Sequence, residues 1–538
     1  MILLFVIPVS IVLIEAFRYP EGTFTLQNIG DVITDGYSWR IAWFTFLQAA
    51  VSTLGALLVG LPGAYMLSHY QFRGKRLLQS ISQIPFVLPS ILVVLGFVIF
   101  FGNSGILNKA FQQLFDLKEP PLHILYSFKA IILAHTFYNF PIALSLISSF
   151  WEQLNHRQEY AAKTLGAKPF MVFWTITFPR LLPAISAAAS MIFLFCFSSF
   201  SIILVLGGGP KFTTLEVQIY QLARVRFDIQ HAASFAIFSL FISAGILFLY
   251  IRSQHWLQLA QKEVSYAAEA KRPSRSMTFF ILLYGIAVCL LIIAPLLSII
   301  FQSFQAPIFR TGKTIYTLRW YRELFGLSTT SAFFHGAQSA IFTSLSIACI
   351  VTFITIPLAL SLSTIIINLK RMYSTTVETL LMLPMAISPV IIGLGYSIIA
   401  SRMNVEHITY VLIIGAHVVI TLPFMLRAIL PTYRAIHTAY APAALLLGAK
   451  PFRTFIDIQL PMLSSSITSG AIFVFAISMG EMHATLLLSN SKVVTIPILL
   501  YRLIGSYNFY GACTLGTLLM GVCFLLFVGT NSLHKREL

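Results

Sequence analysis

A chain of 538 residues that is 57% hydrophobic and only 10% charged falls far below the roughly 25% charged of an ordinary globular protein. Its mean hydropathy of +0.84 leaves too little polar surface to cover a water-soluble fold, which excludes a disordered chain, a secreted disulfide scaffold and a cytosolic enzyme in favour of a polytopic membrane protein. The net charge of +17 does not make nucleic acid a partner, because the cations stand singly or in pairs at the ends of apolar runs, where they suit membrane lipid headgroups.

Apolar stretches near 20 residues predict about 12 transmembrane helices, at 1–16, 41–68, 83–101, 129–150, 182–206, 232–251, 276–303, 336–365, 376–400, 408–430, 465–489 and 512–530. The fold class is an all-α membrane protein. The first run carries no basic stretch and no small-residue cleavage site, so it reads as a membrane anchor with a clipped start rather than a signal peptide. Twelve spans place the even-numbered loops and the C-terminus on one side. That side is the richer in cations, among them Arg73, Lys75, Arg76, Lys271, Arg272, Arg275, Lys370, Arg371, Lys535 and Arg536, and is therefore cytoplasmic. The five cysteines all lie in apolar segments with no C-x-x-C pair and read as small buried hydrophobes.

A polar stretch at 252–275 is the one linker-like segment, dividing the chain into halves 1–251 and 276–538. The halves repeat. Ala134-His135 recurs as Ala416-His417, Pro141 as Pro423, Gly166-Ala167-Lys168-Pro169-Phe170 as Gly448-Ala449-Lys450-Pro451-Phe452, and Pro179 as Pro461, all at one offset of 282 residues. Weaker echoes flank this stretch at drifting offsets: Pro62-x-Ala64-x-x-Leu67-Ser68 with Pro357-x-Ala359-x-x-Leu362-Ser363, and Leu95-Gly96 with Leu394-Gly395. Two six-helix halves of the same topology form a parallel duplication, which puts a translocation path at a pseudo-two-fold axis normal to the membrane.

The best-matched part of the repeat is a cytoplasmic loop, at about 152–181 and again at about 431–464. A mere connector tolerates drift, so the two loops do one job against similar partners. Glu159-Tyr160-Ala161-Ala162-Lys163-Thr164-Leu165-Gly166 predicts a short helix with Gly166 as its C-terminal cap. Leu154, Ala161, Ala162 and Leu165 give it an apolar side suited to a groove on another protein, against the competing picture of a helix resting on lipid headgroups.

Glu159-x-Ala161-Ala162-x-x-x-Gly166, with Ile176 and Pro179 following, resembles the EAA loop of ABC importer permeases. The second copy keeps Ala443, Ala444, Gly448, Ile458 and Pro461, but has Ala441 in place of the glutamate, followed by Pro442. The resemblance implies that these residues dock onto a cytoplasmic ATPase subunit, in two copies, and that a contact of the glutamate belongs to Glu159 alone. It implies an extracytoplasmic substrate-binding protein as a further partner. A fused permease of this length is similar to the thiamine, ferric iron and some polyamine importers. Leu206-Gly207-Gly208-Gly209-Pro210-Lys211-x-Thr213-Thr214-Leu215-Glu216-Val217-x-Ile219-Tyr220, then Arg226-Phe227-Asp228, resembles the thiamine and thiamine pyrophosphate branch. Physically Gly-Gly-Gly-Pro is a turn in an external loop, and no G-x-x-x-x-G-K-[S/T] occurs in the chain. ATP and Mg therefore belong to a separate subunit, and this chain needs no cofactor of its own.

Ionisable groups inside spans point to function. Glu481 and His483 stand in Ser478-Met479-Gly480-Glu481-Met482-His483 of the eleventh run, and the matching stretch of the first half is Ser198-Ser199-Phe200-Ser201. If the path follows the pseudo-two-fold, these stretches face each other across it, with a carboxylate for a cationic cargo. The other reading pairs Glu481 with His483 or an arginine as a structural group. His135 and His417 read as packing or interhelical hydrogen-bonding residues in preference to cargo or metal ligands. No metal motif and no catalytic cluster is present, so an enzyme is not expected, and a secondary transporter gives no reason to duplicate an EAA loop.

Overall fold

The computed structural model describes residues 2–19, 22–154, 157–207, 209–261, 271–307, 314–326, 336–385, 387–403, 408–490 and 492–534. The principal helices of the first half are α1 (Ile2–Ala16), α2 (Gly36–His69), α3 (Ser90–Phe101), α4 (Phe128–Gln153), α5 (Arg157–Thr164), α6 (Phe178–Phe197), α7 (Ser201–Leu206), α8 (Leu215–Tyr220) and α9 (Ile229–Gln261). The second half answers each in turn with α10 (Arg275–Ser303), α11 (Ala337–Asn368), α12 (Pro389–Met403), α13 (Thr409–Ala439), α14 (Ala441–Leu446), α15 (Ser464–Gly480), α16 (His483–Leu488), α17 (Ile496–Gly505) and α18 (Phe509–His534). A small antiparallel hairpin pairs Gln305–Pro307 with Thr314–Tyr316.

Among the described residues nine helices are long and apolar enough to cross a membrane, or up to eleven if each of two sharply bent pairs is one span. All twelve apolar runs fall on helices; α1, with 15 residues, is about 22 Å long and short of the hydrocarbon thickness. Large apolar side chains such as Phe353, Phe342 and Leu58 point outward, as a lipid-facing surface requires. Cys349 is exposed on that surface, whereas Cys196, Cys513 and Cys523 are buried.

The first helix of each half packs on the other half. Pro8 of α1 sits in a notch at Gly395, where an added Cβ would lie 2.3 Å from the Pro8 carbonyl oxygen, and Pro295 of α10 sits in the matching notch at Gly96 at 3.0 Å. Tyr396 donates to the Leu4 carbonyl (2.8 Å), Tyr284 donates to the Val59 carbonyl (3.0 Å), and Arg402 pairs with Glu15. Segments 1–251 and 276–538 are thus interlocked rather than side by side. The 252–275 segment is linker only in part: α9 continues through Gln261. Lys271 then lies along the end of α2, donating to the His69 carbonyl (2.9 Å) and accepting from Gln71 N–H (3.0 Å).

Several expected spans are not continuous: 83–101 is interrupted between Val87 and Ser90, 376–400 is interrupted before Pro389, and two more break at polar residues. The runs 182–206 and 465–489 break at Ser198–Phe200 and at Glu481–Met482, giving α6 and α7 in one half and α15 and α16 in the other. No proline causes these two breaks; Gln48 of α2 donates to the Cys196 carbonyl (2.8 Å) at the first, and Glu481 accepts from the Ala484 and Thr485 N–H groups (2.8 and 3.0 Å) at the second, satisfying backbone groups that the interrupted ladder frees. The segment following Leu206 is likewise more than an external loop, although Gly208 of its glycine turn lies outside the described residues. Leu215 through Ile219 of α8 are buried, and Leu215 N–H donates to Thr45 within α2 (3.1 Å). Its counterpart, Ile496 N–H of α17, donates to Ser344 within α11 (2.8 Å). Both segments re-enter the bundle.

Candidate functional site

The duplicated loop forms the same backbone device twice. In α5 the Ala167 N–H reaches the Ala162 carbonyl (3.0 Å) and the Gly166 N–H the Lys163 carbonyl (3.0 Å), a Schellman ending that needs a left-handed residue. Gly166 supplies it with φ 87°, and Gly448 does so with φ 82° where Ala449 N–H meets the Ala444 carbonyl (3.0 Å). Each helix is followed by a π-helical turn, Phe173–Thr177 and Phe455–Gln459, leading through Pro179 or Pro461 into the next membrane helix. These turns too are 282 residues apart.

The loops present matching apolar surfaces. Leu165 and its counterpart Leu447 are 88% and 89% exposed, and Phe170 and Phe452 are 76% and 74% exposed. Ala161 and Ala443 are exposed, while Ala162 is partly covered and Ala444 buried. Leu154, expected on the apolar side of the helix, instead turns back into the bundle with 3% exposure. The anchors beneath the loops differ. Thr177 donates to Glu159 (2.8 Å) in the first half. In the second, Tyr433 donates to Gln459 (3.2 Å), and Gln459 faces His437 (3.5 Å).

The candidate pathway residues meet at the two helix breaks. His135 lies seven residues into α4 and His417 eight into α13, about 11 Å along each helix at 1.5 Å per residue. His135 bonds Ser52 (3.1 Å) and Ser199 (2.8 Å). His417 bonds Ser478 (2.8 Å) and Thr485 (2.8 Å), and its Nε2 stands 3.3 Å from the Glu481 carboxylate. Glu481 is 7% exposed. It accepts from Ala484 N–H (2.8 Å), from Thr485 N–H (3.0 Å) and from the Thr485 hydroxyl (2.5 Å), so it also caps the first turn of α16. Its imidazole partner is His417, not the adjacent His483 considered from the sequence.

His483 points across the axis. Its Nε2 meets the Ser201 hydroxyl (3.1 Å), the residue exactly one repeat earlier by the 282-residue offset, and Ser201 also donates to the Met482 sulfur (3.6 Å). The Phe200 ring stands edge-on to the His483 ring at 5.5 Å. Equivalent positions of the two halves thus touch, as expected for residues on a two-fold axis. Ser198 ends α6, its N–H donating to the Leu194 carbonyl (3.0 Å). Arg224 donates across the halves to the Ser489 carbonyl (2.5 Å), and Glu216 accepts from Ser388 of the other half (2.5 Å). Arg224 did not stand out in the sequence, and Glu216 did so only as part of the stretch resembling the thiamine branch, because the segment containing them reads as an external loop. Among the described residues no group of three or more His, Cys, Asp and Glu could hold a metal ion.

A duplicated helical bundle with a pair of matching exposed loops and broken helices meeting between the halves is the architecture of a transport permease. The chain belongs to the family of binding-protein-dependent transport system inner membrane components, which it matches over residues 56–262 and 358–532. It is similar to the thiamine transport system permease protein ThiP of Haemophilus influenzae, with 26% identity over 94% of this chain and 90% of that one. It is also similar to ThiP of Brucella suis, with 24% identity over 91% of this chain and 87% of that one. Among solved structures, a bacterial ABC transporter involved in the import of the acidic polysaccharide alginate aligns with a TM-score of 0.40 and 18% identity, over 48% of this chain and 91% of that chain.

Proposed function

We propose that this chain is the permease of an ATP-binding cassette importer in the bacterial inner membrane, carrying thiamine or thiamine phosphates into the cytoplasm by alternating access. The work is driven by two copies of a separate ATPase subunit, which binds ATP and Mg, and the cargo is delivered by an extracytoplasmic substrate-binding protein. One ATPase docks at each loop, through Glu159, Ala161, Ala162 and Gly166 with Pro179 behind them, and through Ala443, Ala444 and Gly448 with Pro461 behind them. Cargo passes where the helix breaks meet, along a wall built from Ser198, Ser199, Ser201, Ser478, Glu481 and His483. The Ser201–His483 contact closes that passage and must part in each cycle.

The observation that carries the reading is the near-identical exposure of Leu165 and Leu447, and of Phe170 and Phe452, on two Schellman-capped loops. Four large apolar side chains at a cytoplasmic surface call for a protein partner. The thiamine assignment is supported by the names of relatives that span almost the whole chain. The test is ATP-driven uptake of labelled thiamine by proteoliposomes containing this chain, its ATPase and its binding protein. Uptake that needs ATP and is lost when Leu165 and Leu447 are both changed to aspartate is the expected result. Uptake of ferric iron or a polyamine in place of thiamine would replace the cargo, and undiminished ATPase binding by the double variant would overturn the docking surface.

A further inference from the structure

Four carboxylates are buried among the described residues: Glu15, Glu216, Glu323 and Glu481. Three are accounted for by cationic or imidazole partners, since Glu15 pairs with Arg402, Glu323 with Arg319 and Glu481 with His417. Glu216 is the exception. It has 0% exposure, and its described partners are two neutral hydroxyls, Ser239 on Oε1 (3.0 Å) and Ser388 on Oε2 (2.5 Å).

Its depth is set by those partners. Ser239 lies ten residues along α9 from its external start at Ile229, about 15 Å at 1.5 Å per residue and half of a hydrocarbon core about 30 Å thick. Its two oxygens are divided between the halves. Ser239 belongs to the same half, whereas Ser388 stands just before Pro389, at the bend of 84° that interrupts the ninth span of the other half. Parting the halves along this seam leaves Oε1 bonded and strips Oε2 of its donor. A carboxylate deprived of a donor and turned toward an opening cleft attracts positive charge, and in a membrane interior such a group asks for a functional reason.

We propose that Glu216 is the carboxylate that meets the positive charge of an organic cation crossing between the halves, and that Ser388 caps it while the passage is shut. Glu481, bonded to His417, Thr485 and the start of α16, has its acceptor sites committed within its own half and keeps them when the halves part. The inference deepens the cargo reading above and rests on the cargo being a cation such as a thiazolium. The companion feature is Phe200, whose ring packs edge-on against Tyr220 of the same re-entrant segment at 5.4 Å, which puts aromatic faces within reach of a flat cation.

The test uses the full complex, with ATPase and binding protein, in proteoliposomes, and compares Glu216→Gln, Glu216→Asp and Ser388→Ala. Glutamine preserves both hydrogen bonds, accepting from one serine and donating to the other, while removing the charge. Glu216→Gln is expected to lower thiamine uptake about tenfold, the effect of about 1.4 kcal/mol, with the thermal midpoint and ATPase association unchanged. Glu216→Asp should retain most of the uptake, and Ser388→Ala should lose much less than Glu216→Gln. Wild-type uptake by Glu216→Gln overturns the proposal, as does an equal loss in Ser388→Ala, which would make the pair a hydrogen-bonded latch. If the unmodified complex carries no thiamine, the cargo assignment fails separately. Sensitivity of whichever cation it does carry to Glu216→Gln then still supports the role of Glu216.

Discussion

The two halves agree in backbone at the duplicated loops and breaks, and differ in several of the polar side chains that hold those features in place. Gly166 and Gly448 take the same left-handed φ, and the π-helical turns recur at the same spacing. Yet the histidine after the repeated alanine meets a serine hydroxyl, Ser199, in one half and a carboxylate, Glu481, in the other. The ion pair near the duplicated loop is inverted, with Lys75–Glu152 at 3.0 Å answered by Glu378–Arg434 at 2.6 Å. Glu152 and Arg434 are one repeat apart, so the interaction has been kept while its sign was reversed. Duplication constrained what the chain must trace in space, and each half then found its own side chains to hold it there.

The sharpest way to break this comparison is at the histidines. His417→Ala removes the imidazole from a buried carboxylate and is expected to cost about 3 kcal/mol. His135→Ala removes only bonds to two serines, for about 1 kcal/mol. Thermal midpoints of the purified chain in detergent should therefore fall much further for His417→Ala, and equal shifts would mean that Glu481 does not depend on its histidine.

The exchanged first helices give the next contrast. A side chain at Gly395 meets the Pro8 backbone at 2.3 Å, against 3.0 Å between Gly96 and Pro295. Gly395→Ala should cost about 2 kcal/mol and Gly96→Ala about 1 kcal/mol, within the range for overpacked cores. Size-exclusion profiles on heating would rank them, and the reverse order would show that α1 shifts more freely than α10.

The coupling loops should respond alike. Nothing lies within 4 Å of a Cβ added at Gly166 or Gly448, so the penalty of alanine is backbone strain alone, about 1 kcal/mol at each. That corresponds to roughly a fivefold loss of affinity for the ATPase subunit if the loop must keep its shape to dock. A tenfold difference between the two variants would mean that only one loop carries the contact. The smallest effect is expected at the inverted ion pair. Lys75→Glu combined with Glu152→Lys should restore what either change alone removes, with a coupling of about 1 kcal/mol for a pair whose carboxylate is solvent-exposed and whose lysine is partly covered. A double-mutant cycle measured by thermal midpoint checks it.

Much of the architecture is legible in the residues. Long apolar runs leave helices as the solution in lipid, and all twelve runs fall on them. The glycine at the end of Glu159–Gly166 announces its own left-handed turn, because only glycine adopts that φ at little cost. The breaks at Ser198–Phe200 and Glu481–Met482 are not legible as breaks, since a few polar residues within a long apolar run leave the helical reading intact. Nor does the sequence reveal that α8 re-enters the bundle, because a Gly-Gly-Gly-Pro turn reads as surface. Glu481 signalled importance by its charge, but its pairing with His417 depends on two helices separated by the whole coupling loop.

The sequence by itself determined the membrane-spanning character of the chain, the duplication and the conformation of the two turns at Gly166 and Gly448. Each follows from local hydropathy or from the steric freedom of single residues, which chain neighbours alone decide. Only the tertiary structure decided which half each first helix packs against, where several spans stop being continuous, and which buried carboxylates find cationic partners. Those outcomes depend on polar groups removed from water, and such groups are satisfied by whatever distant donor the packing brings within about 3 Å. Glu216 meeting Ser388 across 172 residues is set by that packing and by nothing adjacent to it in the chain.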